Sequence, residues 1–144
     1  MSPFFSPESM EGAAVNRGVW DKGPVTRGEI IHERMGQNLP RSFPVVDIFK
    51  DGIVTNIKSI DLHAKSYRDP AAITRLGQGF IDKVAGFTKA RHAKFEILEH
   101  EIKGRALDLV VPRGSTTTQR QALEGLKSYG TTKGVSVRIV EMAQ

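Results

Sequence analysis

Phe43-Pro-Val-Val-Asp-Ile-Phe-Lys-Asp-Gly-Ile-Val-Thr-Asn-Ile-Lys-Ser-Ile-Asp-Leu62 decides the reading of this 144-residue chain. Two apolar, β-branched runs meet at Lys50-Asp51-Gly52, and Asp-Gly between such runs predicts a hairpin, because glycine accepts the positive φ that a tight turn demands. Side chains alternate along a strand. Phe43, Val45, Asp47 and Phe49 should therefore share one face of the first strand, and Val54, Asn56, Lys58 and Ile60 one face of the second. An acid and a lysine then stand mid-strand among apolar neighbours, where a charge is costly unless it is paired or used.

Around this hairpin the chain reads as α-β-β-α-β-β-α-β, an α/β (α+β) domain with a mixed sheet flanked by helices. Upstream, residues 1–23 show no period and read as a mobile lead or linker, anchored in part through Trp20. The domain proper is assigned to 24–144. Thr26-Arg-Gly-Glu29 matches a capping box that starts a helix running to about Met35 and stopped by Gly36. Glu29 and Glu33 share a face of that helix. Downstream, Asp69-Pro70 opens a helix to about Ala85. Residues 93–102 read as a strand turned at Lys103-Gly104. Ala106–Val111 is a nearly continuous apolar run, as in a strand buried on both faces. Ser115–Thr118 caps a helix to about Ser128, and Gly134 opens a last strand, Val135–Val140.

The chain has 21 Lys and Arg against 16 Asp and Glu, a net charge of +5, and a pI near 9.7. That balance favours a polyanionic partner, nucleic acid or an acidic protein. The absence of cysteine excludes disulfides and a thiolate zinc site. No apolar run reaches the roughly 18 residues of a membrane span, and the start lacks a signal-peptide core.

Hydrolysis of a phosphodiester with a divalent metal needs hard oxygen ligands, and a cation to orient the attacking water and stabilise the developing charge. Asp47 and Lys58, on either side of one turn, can be neighbours on a sheet face. Glu29 and Glu33 precede them on a short helix able to pack there. The basic residues Lys83, Lys89, Arg91, His92 and Lys94 form one candidate phosphate track, and Arg113, Arg120 and Lys127 a second. Thr116, at a helix start, can take a phosphate or act only as a cap.

Arg27-Gly-x-x-Ile, Gly36-x-Asn-Leu-Pro-x-x-Phe-Pro-Val-Val-Asp47 and Gly52-x-x-Thr-x-Ile-Lys-Ser-Ile-Asp-Leu62 together resemble the C-terminal toxin domains of bacterial contact-dependent growth inhibition proteins, in particular those with the restriction-endonuclease-like PD-(D/E)xK fold. The strong part spans Arg27 to Leu62; the Val-Pro-x-Gly-Ser-Thr segment at 111–116 agrees more weakly. The resemblance implies a secreted, toxic endonuclease acting on tRNA or DNA in the target cytoplasm, with tRNA favoured. It also implies a divalent ion (Mg2+ first, Mn2+ or Zn2+ next) and a cognate immunity protein, whose contact face the chain's basic charge predicts to be acidic. Carried over by position, Asp47 is the metal-binding acid, Lys58 the catalytic lysine, and Glu33 or Glu29 the helix acid. The motif's second acid, two residues before the lysine, is here Asn56. Asparagine can ligate through its carbonyl oxygen, as can the Ile57 main chain, but adds no charge. Ser59 and Asp61 are candidate substrate contacts. Two rivals stand beside this reading: a metal-independent ribonuclease using His32 or His63 with Lys58, and a non-catalytic nucleic-acid-binding module.

Overall fold

The computed structural model describes residues 18–143. A four-stranded mixed sheet of order β1-β2-β5-β6 forms the centre. Strand β1 (Ile48–Lys50) pairs antiparallel with β2 (Ile53–Ser59), and β5 (Gly104–Val111) runs parallel to both β2 and β6 (Val135–Glu141). Helix α1 (Pro24–Arg34) covers one face of the sheet. Helices α2 (Pro70–Ala85) and α3 (Thr117–Thr132) cover the other. A separate two-stranded hairpin, β3 (Ala90–His92) and β4 (Phe95–Ile97), lies between α2 and β5 in the chain. The mixed α+β architecture is the one the sequence implies.

Burial explains the layering. Leu107, Leu109 and Val111 point into the α2–α3 core with Ile73, Ile81, Leu123 and Leu126. Val110, on the opposite face of the same strand, joins Ile57, Ile31, Val19 and Trp20 under α1. Strand β5 is therefore apolar on both sides, as its continuous run predicts. The helices α2 and α3 approach so closely at Gly77 that a Cβ there would run into the Leu126 side chain. A third cluster, Phe43, Val46, Val54, Phe87 and Ile97, seats the β3–β4 hairpin against the loop before β1.

Several expectations are corrected in detail. The first helix begins at Pro24 with Gly23 as its cap and no side-chain capping bond, so Thr26 and Glu29 form no capping box; proline at the first helical position sets the start instead. The strand expected from Phe43 shrinks to Ile48–Lys50, because Pro44 has no N–H to give and Val45 takes a left-handed φ of 62°. The single strand expected over 93–102 is the β3–β4 hairpin followed by a 3-10 turn at Glu99–Glu101. Its turn is hidden in the sequence because Ala93, at φ 55°, occupies the position where glycine is usual. The lead expected over 1–23 falls mostly outside the described residues. Its described end, a 3-10 turn at Gly18–Asp21, buries Val19 and Trp20, and Trp20 Nε1 donates to the Met142 carbonyl at 2.6 Å. Among the described residues no helix is long and apolar enough to cross a membrane.

Candidate active site

The turn at Asp51-Gly52 has positive φ at both residues, 54° and 81°, and sends β1 back along β2 for three paired residues only. The last rung is the Asp47 N–H donating to the Thr55 carbonyl at 2.8 Å. Beyond it β2 loses its neighbour, and the Ile57 N–H would be left on an open edge. The Asp47 side chain fills that place: Ile57 N–H donates to Oδ2 at 2.6 Å, and Asn56 Nδ2 donates to the same oxygen at 3.0 Å. The Asp47 carbonyl accepts from the Asn38 and Leu39 N–H groups, both at 3.1 Å. The residue is 8% exposed.

Every one of these partners is a neutral donor. The other carboxylate oxygen, Oδ1, stands 3.5 Å from His32 Nε2 on α1. The other ring nitrogen, His32 Nδ1, lies 2.7 Å from the Gly28 carbonyl. A carbonyl only accepts, so Nδ1 carries a proton, and the ring is held with Nε2 facing Asp47. A ring fixed this way is the arrangement found for metal-ligating histidines. At 3.5 Å the pair lies beyond the usual N–H···O range. It does match the roughly 3.4 Å separation of two ligands bound tetrahedrally at about 2.0–2.1 Å from one ion. The two donors therefore fit a divalent ion with open positions. No group of three His, Cys, Asp or Glu side chains that could hold an ion gathers among the described residues, so an ion held by this pair would take its other ligands from water, main chain or substrate oxygens.

Lys58 stands two residues beyond Asn56 on the same strand and hence on the same face. It forms no ion pair with Asp47; its Nζ lies 5.3 Å from the centre of the Phe80 ring on α2. The ammonium is thus held over an apolar wall, and among the described residues no carboxylate pairs with it. The helix acids are placed differently from the expectation. Glu29 and Glu33 are both exposed, and the residue of α1 that meets Asp47 is His32, which the sequence offered only in a metal-free rival. Ile31, 0% exposed, fixes the helix rotation and so presents His32 to the sheet edge.

The remaining candidates divide into two groups. Arg91 and Lys94 are exposed on the β3–β4 hairpin, with Lys89 just before it. Ser42 Oγ meets His92 Nε2 at 2.8 Å, which ties this hairpin to the loop carrying Asp47. Arg41, missed in the sequence, is exposed in that loop, and its Nη2 lies 3.8 Å from where a Gly28 Cβ would stand. The guanidinium thus lies against α1 at Gly28, one turn from His32. Arg113 and Thr116 belong to the approach to α3. The Arg113 carbonyl meets His63 Nε2 at 2.9 Å, and the Thr116 hydroxyl accepts the Gln119 N–H at 3.1 Å as a cap. Asp61 Oδ1 accepts the His63 N–H. Ser59 lies by alternation on the Ile57 side of β2.

The sequence pattern of the family described as CDI toxin restriction endonuclease-like domain matches residues 27–140. Among curated proteins, the chain is 26% identical over 133 residues to deoxyribonuclease CdiA-o11 of Escherichia coli O157:H7 (strain EC869). That match covers 85% of this chain and 35% of the relative, so the chain spans about a third of that protein's length. Among solved structures, the fold is similar to that of a chain in the CdiA-CT/CdiI toxin and immunity complex from Yersinia pseudotuberculosis, with a TM-score of 0.68 and 23% identity. The likeness covers 78% of this chain and 98% of that one.

Proposed function

Because the chain belongs to the family of CDI toxin restriction endonuclease-like domains, we propose that it is a divalent-metal-dependent endonuclease that cleaves DNA. In this reading it is the effector end of a larger surface-exposed protein, acts in the cytoplasm of a target bacterium, and is neutralised in its producer by a cognate immunity protein. One observation carries the proposal: a nearly buried carboxylate on the edge strand, held by neutral donors alone, with an oriented imidazole nitrogen 3.5 Å away. Among the described residues no Lys or Arg pairs with this carboxylate, and a bound ion would supply the cation.

Asp47 and His32 would hold the ion, with Glu29 or Glu33 able to join only by turning in from solvent. When bound, the ion supplies Lewis-acid polarisation of the scissile phosphate and a more acidic water. The protein's own groups do the rest. Lys58, with its charge uncommitted, orients the attacking water and stabilises the charge that develops on the phosphate. Arg41, Arg91 and Lys94 engage flanking phosphates and set the strand across Asp47. DNA is preferred over the tRNA favoured from sequence because the curated relative is named a deoxyribonuclease. The net charge of +5 suits both a nucleic acid and an immunity protein with an acidic contact face.

The metal-free rival draws on similar contacts: His32 beside Asp47 can serve as a general base, and the His63 ring is likewise oriented, its Nε2 on the Arg113 carbonyl. The test is cleavage of plasmid DNA and, separately, total tRNA by the purified domain with Mg2+, Mn2+, Zn2+ or EDTA. DNA cleavage abolished by EDTA is expected. Cleavage that survives EDTA would transfer the role of His32 to general base, and cleavage of tRNA alone would overturn the substrate.

A further inference from the structure

The motif slot two residues before Lys58 ordinarily holds a second metal-binding acid, and here it holds Asn56. We infer that Asn56 is a positioning residue whose two amide hydrogens lock a strained turn and aim Asp47, so that an acid in its place would damage the site. Asn56 is 6% exposed, and its Nδ2 donates to the Val45 carbonyl at 2.6 Å and to Asp47 Oδ2 at 3.0 Å. Val45 has a φ of 62°, and the Val46 N–H reaches back to the Pro44 carbonyl at 2.6 Å. This is a three-residue turn around a β-branched residue in the left-handed region, a conformation such residues avoid. It persists only where surrounding structure over-determines it, and the Asn56 amide fastens it through the Val45 carbonyl. Asp47 leaves the chain two residues later, so the turn decides where its carboxylate emerges beside the Ile57 N–H.

The chemistry is directional. A carboxylate at position 56 would present acceptors to the Val45 carbonyl and to Asp47 Oδ2, both acceptors themselves. Two donor bonds would become two repulsions, and Asp47 would swing from Ile57. If Asn56 were instead a ligand weakened by its lack of charge, Asn56→Asp would tighten ion binding. The two accounts differ in sign.

This inference rests on the metal-dependent reading above only for its ion-binding arm. The experiment measures Mn2+ binding calorimetrically for the wild type, Asn56→Asp and Asn56→Ala, and amide hydrogen exchange at Ile57 in the same proteins without metal. Asn56→Ala removes both donors without adding charge and keeps the test readable if Asn56→Asp does not fold. Both variants should bind Mn2+ about 10–100-fold more weakly, the range for residues that orient a metal ligand, and the Ile57 amide should exchange at least about tenfold faster. Val45→Gly, which relaxes the turn, should recover part of the Ile57 protection lost in Asn56→Ala. Tighter Mn2+ binding in Asn56→Asp, or unchanged Ile57 exchange in Asn56→Ala, would overturn the inference. If the wild type, titrated also with Mg2+ and Zn2+, binds none of the three ions, the metal-dependent reading fails, and Ile57 exchange still decides the role of Asn56.

Discussion

Two acids flank Ile57 and meet opposite fates. Asp108, its partner in the parallel register on β5, is 5% exposed and accepts two bonds from Arg138 on β6, from Nε at 3.1 Å and from Nη2 at 2.8 Å. That paired geometry holds the guanidinium above its ordinary pKa, first through the hydrogen bonds and then through charge. Asp47, on the other side of Ile57, is almost as buried, but among the described residues its side chain meets only neutral N–H donors and an imidazole beyond hydrogen-bond range. Burial alone therefore does not separate the two acids; what separates them is that Asp47, unlike Asp108, is oriented without a guanidinium beside it.

The comparison can be broken by exchanging what the two acids are asked to do. Asp47→Asn keeps the shape and an acceptor for the Ile57 N–H, so the fold should survive while DNA cleavage falls by at least about 10³-fold, the scale of losing an ion's catalysis; initial rates of plasmid nicking measure it. Lys58→Ala should lower the cleavage rate by about 10²–10³-fold, the scale of losing one preorganised charge-stabilising group. It should leave ion affinity unchanged, because Lys58 touches Phe80 and no ligand. Asp108→Asn should do the reverse of Asp47→Asn. Arg138 is 66% exposed in its side chain and can return to water, so the cost is about 1 kcal/mol of stability, seen in a denaturant melt, with cleavage within about twofold of the wild type. The smallest effect is expected at the basic hairpin: Arg91→Ala should weaken DNA binding a few-fold and reduce the slope of log affinity against log salt by about one.

How much of this the sequence carried differs by element. The β1–β2 turn was legible because Asp51-Gly52 both take positive φ, and α2 because Asp69 accepts the Ala71 N–H ahead of Pro70. Strand β5 declared itself through residues apolar on both faces. Asp47, Asn56 and Lys58 could be singled out, since period two and one turn relate them. The helix acid could not be settled, because the rotation of α1 depends on Ile31 finding Ile57 and Val110 across the sheet, a tertiary fact. That rotation brings in His32 and leaves Glu29 and Glu33 exposed. The turn at Val45 was invisible for the same reason: a valine at φ 62° contradicts its local preference and exists only because Asn56 and the Asp47 loop impose it. Arg41 drew no notice because no local pattern links it to α1; only the fold lays its guanidinium beside Gly28.

The most direct measurement sets Asp47→Asn and Asp108→Asn side by side in one plasmid-cleavage assay, each with Mg2+, Mn2+ or Zn2+ and with EDTA. Metal-dependent cleavage by the wild type and Asp108→Asn, and none by a folded Asp47→Asn, is the predicted result. Cleavage that persists in Asp47→Asn, or that disappears in a folded Asp108→Asn, would contradict the placement of the active site at the open edge of β2.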